Sequence, residues 1–77
     1  MTTLPSGVQR PDIVLEDEGS VVLGRPLTLE AREWESAHVA PDVPRFAGAF
    51  AIQPASLEYV VAEMLADGLL VAAGGEL

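Results

Sequence analysis

The sequence predicts an α+β fold: a small mixed β-sheet with two helices packed on one face, in the order ββαβα(β). Three observations carry that reading. Leu57, Val60, Val61, Met64 and Leu65 recur at i, i+3, i+4, i+7 and i+8, the stripe of one amphipathic helix. Two β-branched runs flank Asp17-Glu18-Gly19, which is the pattern of a β-hairpin. The run RFAGAFAIQ over 45–53 alternates large and small apolar residues with a period of two.

The first element in order is the hairpin, with strands expected near 12–16 and 20–24 and Gly19 at positive φ in the loop. Ile13 and Leu15 share one face of the first strand, Val14 and Glu16 the other. Gly24-Arg25-Pro26 is expected to end the second strand. Thr28 then suits the N-cap of a helix near 29–38, with Glu30 and Glu33 in the first turn where the dipole favours acids. Its apolar side is thin: Leu27, Ala31, Trp34 and His38, with Trp34 as the one large anchor. Pro41 and Pro44 enforce an irregular connection, since each restricts the residue before it.

The third strand is expected over 45–52, apolar on both faces and therefore central. Phe46, Gly48, Phe50 and Ile52 fall on one face of such a strand; Ala47, Ala49 and Ala51 fall on the other. Small side chains let a helix settle close, so the Ala face is expected to meet the helices. The second helix, near 55–67, has Ser56 as N-cap and Gly68 as a left-handed C′ residue, with Leu69 closing back on Met64. Burying its five apolar side chains gains about 8–15 kcal/mol gross, much the same as the cost of ordering its backbone. It forms only against another apolar surface. A short last strand is expected near 69–72. In domain terms, 1–11 is a disordered N-terminal tail, 12–73 the single α+β domain, and 74–77 a flexible C-terminus.

Seventy-seven residues make one domain, of a size that buries only about 60% of its unfolded surface. Because 49% of the chain is hydrophobic, surplus apolar surface is expected to face another chain. The absence of cysteine suits a reducing cytoplasm and leaves no thiolate zinc site. No apolar run is long enough for a membrane span, and 1–11 lacks the apolar core of a signal peptide, so a cytoplasmic location is expected. Twelve acidic against four basic residues give a net charge of −8, which repels phosphate backbones and disfavours direct nucleic-acid binding.

The ordered set Gly19-Ser20-Val21-Val22-Leu23, Pro26-Leu27-Thr28, Ala31, Trp34, Phe46-Ala47-Gly48-Ala49, Tyr59 and Ala66-Asp67-Gly68-Leu69 resembles a known group. Its members are short, mostly uncharacterised proteins of bacteriophages, prophages and other bacterial mobile elements. The resemblance spans about 12–71. Similar proteins tend to carry a double glycine where this chain has Ala47-Gly48, and Arg-Tyr where it has Glu58-Tyr59. The resemblance implies origin and compactness; it brings no activity with it.

Side chains for chemistry are sparse. His38 is the single histidine and reads as a helix-end residue near the negative dipole end. Glu16-Asp17-Glu18 lacks the ligand spacing of a calcium loop. Ser6, Ser20, Ser36 and Ser56 have no base beside them in sequence. No catalytic residue, cofactor or metal is expected. The function expected is a small non-enzymatic protein-interaction module, a homodimeric phage or mobile-element accessory protein acting on a host or phage protein. Its candidate surface is Phe46, Gly48, Phe50, Ile52, Trp34 and Tyr59, with the Phe face at the dimer contact. The alternatives are an acidic nucleic-acid mimic that occupies a DNA- or RNA-binding protein, and a binder of a small molecule in an apolar sheet groove.

Overall fold

The computed structural model describes residues 10–74, and five strands and two helices account for most of them. They are β1 (Ile13–Asp17), β2 (Val22–Pro26), α1 (Leu29–His38), β3 (Arg45–Phe46), β4 (Ala49–Ile52), α2 (Leu57–Ala66) and β5 (Val71–Ala73). The sheet order is β3-β4-β2-β1-β5, antiparallel throughout except for the parallel β1–β5 pair. This is the small mixed sheet of an α+β fold. The tail and the loose end expected from the sequence lie mainly outside the described residues. Gly74, which is described, continues the β1–β5 pairing by donating its N–H to the Leu15 carbonyl at 2.6 Å.

The β1–β2 hairpin closes through Gly19-Ser20, with Gly19 at φ 93° and its N–H donating to Asp17 Oδ1 at 2.8 Å. The second strand does not break at Gly24-Arg25-Pro26. It runs on through Pro26, opposite Ile13. Two facts of packing permit this. Pro26 lies past the end of β4, so its missing N–H costs no ladder bond. Gly24 makes room for Phe50, whose ring lies over it: a Cβ on Gly24 would stand 2.9 Å from Phe50 Cζ.

The strand expected over 45–52 is instead a second hairpin. Ala47 at φ 51° and Gly48 at φ 84° form its two-residue loop, the left-handed pair that matches strand twist. Phe46 therefore pairs with Ala49 and Arg45 with Phe50. A two-residue loop inverts the alternation, so Phe46 shares a face with Ala49 and Ala51 and not with Phe50. The helices lie on the Phe50–Ile52 face, the reverse of the sequence expectation. Ile13, Val22, Phe50 and Ile52 from the sheet meet Ala31 and Trp34 of α1 and Met64 of α2, with Leu69 beside them. On the other face Leu23 and Ala49 are buried, flanked in the ladder by Arg25. The Arg25 guanidinium forks onto Glu16 (3.1 and 3.0 Å) and donates to the Ala47 carbonyl at 2.8 Å, tying β1 and β2 to the β3–β4 loop.

Thr28 caps α1 as its sequence position demands, accepting from Ala31 N–H at 3.1 Å. Ser56 does not cap α2. It lies in a short 3₁₀ turn, Pro54–Ser56, that leads into the helix, and its side chain makes no capping bond. At the other end Gly68 adopts φ 88°, and the N–H groups of Gly68 and Leu69 bond the Leu65 and Met64 carbonyls at 3.0 Å each. That is a Schellman closure. Met64 is fully buried, but Leu65 is 56% exposed: the apolar stripe is wider than the sector the sheet can cover.

Asp12 joins three elements. Its carboxylate accepts from Thr28 Oγ1 at 2.7 Å and from Leu70 N–H at 2.8 Å, while its own N–H donates to the Leu70 carbonyl at 2.8 Å. The Leu70 amide, and then the Thr28 hydroxyl, hold its carboxyl below the ordinary value of 3.8.

Candidate functional site

Between α1, α2 and the end of β4 lies an open cleft of ≈ 270 Å³. The elements build it simply. Trp34 and His38 stand one turn apart on α1, and Tyr59 and Glu63 one turn apart on α2, so each helix lends one face. Phe50 and Ile52 form the floor, and Val43 from the proline-bounded loop closes one side. The Trp34 and His38 rings stack at 4.4 Å with 13° between their planes, and Trp34 meets Phe50 at 6.4 Å.

A polar link runs across one end. Trp34 Nε1–H donates to Asp67 Oδ2 at 2.9 Å, and His38 Nε2 lies 3.4 Å from the same oxygen. His38 Nδ1–H donates to the Trp34 carbonyl at 3.0 Å, which fixes the ring. The C-cap of α2 is thus tied to the last turn of α1. The Glu63 carboxylate, one turn along α2 and an acceptor for the Tyr59 hydroxyl, pushes the phenol above its ordinary value of 10.0.

Of the six residues the sequence singles out, Trp34, Phe50, Ile52 and Tyr59 come together in this cleft. Phe46 and Gly48 do not. Phe46 borders a separate groove with Pro44, Ala51 and Pro54, and Gly48 edges a hollow beside Arg25, Arg32 and Glu35. Phe50 is 1% exposed, so the pair Phe46 and Phe50 cannot form one open contact face. His38, Glu63 and Asp67 belong to the site and read from sequence as a helix end and solvated acids. The signal for His38 and Glu63 was the i, i+4 spacing of Trp34–His38 and Tyr59–Glu63, whereas no spacing joins Asp67 to Trp34. Among the described residues, no group of three His, Asp or Glu side chains is arranged to hold a metal ion. No helix among them is long and apolar enough to cross a membrane.

No family model, no curated protein and no solved structure matches this chain.

Proposed function

We propose that the protein is a small non-enzymatic interaction module that contacts a host or phage protein through the α1–α2 cleft. The observation that carries this is the aromatic mouth of the cleft. Tyr59 is 68% exposed at its rim while Trp34 forms its wall. Tyr and Trp are enriched where protein surfaces meet, because each offers a large rigid apolar area with one polar handle. The same reading carries the mobile-element origin that the sequence resemblance implies, and action in the cytoplasm. Affinity capture of partners from bacterial lysate by the tagged full chain tests it. A partner held by the wild type should be lost with Tyr59→Asp and kept with Phe46→Asp. Loss with Phe46→Asp alone would move the contact to the β3–β4 hairpin and overturn the reading.

A homodimer is the second reading, at a different surface from the Phe face. β5 is an edge strand, and Leu65 on α2 and Leu70 leading into β5 are both exposed. An open edge beside exposed leucines is a template for pairing with a second copy about a two-fold axis. Sedimentation equilibrium decides: a dimer that Leu65→Glu dissociates supports it, and a clean monomer of 8.1 kDa at micromolar concentration defeats it.

A further inference from the structure

We propose that the α1–α2 cleft takes a cationic side chain, an arginine or lysine presented by an exposed segment of the partner protein. This rests on the interaction reading above and names the chemistry of the occupant. The argument is one of charge and shape. Glu63 lines the cleft one helical turn from Tyr59, whose hydroxyl is an uncharged group. Among the described residues the arginine ion pairs are Arg25 with Glu16 and Arg45 with Glu35, both away from the cleft. No arginine lines the cleft, and the chain as a whole carries −8. His38 also lines the cleft, but its Nδ1 is held by the Trp34 carbonyl and its Nε2 lies 3.4 Å from Asp67, so among the described residues no cationic side chain is paired with the Glu63 carboxylate.

Aromatic faces and a carboxylate are the two groups that together select a guanidinium or ammonium. The exposed Tyr59 ring at the rim attracts the cation, and the carboxylate pairs with it in a partly desolvated place. A neutral apolar occupant would leave Glu63 facing it unpaired, and an anion would be repelled. The volume fits as well. A cleft of ≈ 270 Å³ is smaller than the about 300–1,000 Å³ of sites that enclose whole drug-sized ligands. It suits one long side chain, with the rest of the partner resting on the rim at Tyr59.

Trp34 is the single tryptophan and lies in the cleft wall, so its fluorescence reports occupancy directly. The full chain is titrated with a blocked pentapeptide bearing one central arginine, with the same peptide bearing the neutral isostere citrulline, and with spermidine. The arginine peptide should give a saturable change, weakened by salt. The citrulline peptide should bind at least about fivefold more weakly, as should the arginine peptide on Glu63→Gln, which keeps the shape of the side chain. Equal binding of the citrulline and arginine peptides overturns the cation proposal while leaving the cleft an interaction site. Unchanged affinity in Glu63→Gln overturns it too. Spermidine binding as tightly as the peptide assigns the cleft to a free amine and overturns the protein source. No response to any of the three overturns the proposal outright, and the Tyr59→Asp capture then judges the interaction reading by itself. Both comparisons on the wild-type chain stand even where Glu63→Gln fails to fold.

Discussion

Gly24→Ala tests the packing on which the cleft rests. The methyl group would stand 2.9 Å from Phe50 Cζ and 3.1 and 3.2 Å from the two Cε atoms, closer than carbon atoms tolerate. The ring cannot swing into solvent, because Phe50 is buried in the core and packs against Trp34. Overpacking of this kind costs about 1–3 kcal/mol. Replacing a strand glycine by alanine returns about 0.5–1 kcal/mol by narrowing the unfolded ensemble. The net loss should be about 1–2 kcal/mol, a large part of the stability of so small a domain. With a urea m-value of about 1 kcal/mol/M, the midpoint should fall by about 1–2 M. Trp34 fluorescence follows the transition and also reports the displaced ring in the native state. A double-mutant cycle with Phe50→Leu isolates the clash: shortening the ring should recover at least about 1 kcal/mol of the Gly24→Ala loss. A neutral or stabilising Gly24→Ala, with coupling below about 0.5 kcal/mol, would show that the ring does not lie over Gly24.

What the sequence made legible was local. The Thr28 cap, Gly19 at positive φ and the Gly68–Leu69 closure each depend on side chains and carbonyls within a few residues, and all three form as read. The two helix spans follow from the 3.6-residue period for the same reason. The errors lie where a distant partner decides. Gly24 reads as a strand breaker until Phe50, on another strand, is seen to need its missing side chain. Ala47-Gly48 conceals a turn because alanine carries none of the usual signal for φ > 0, and an alternation of Phe and Ala continues across it. That hidden turn reversed the faces of everything N-terminal to it in the run, which is how Phe46 and Phe50 came to be placed together. In the site, Trp34 and Asp67 are 33 residues apart, and no period links them. The i, i+4 pairs that line the cleft were visible, but which helix faced which was not.

Three further outcomes follow from the geometry. Ala47→Gly should raise stability by about 0.5–1 kcal/mol, since it removes a left-handed alanine, and a fall in the urea midpoint would deny the two-residue loop. Asp12 has a carboxyl pKa depressed in the fold, so its contribution is present above the unfolded value near 3.8 and is lost as pH falls through the lower folded value. Thermal melts across that range should fall more steeply for the wild type than for Asp12→Asn, and parallel curves would refute the role. The α2 face is settled by comparing Met64→Ala with Leu65→Ala. Met64 is fully buried among core side chains, so its truncation leaves a cavity and should cost about 2–5 kcal/mol. Leu65 keeps more than half its surface in water, so its truncation in a monomer should cost less than about 1 kcal/mol. Urea melts at two protein concentrations separate the remaining possibilities. A large Leu65→Ala loss at both concentrations would mean that α2 is rotated about its axis. A loss that appears only at high concentration would place Leu65 in a contact between two copies at the β5 edge.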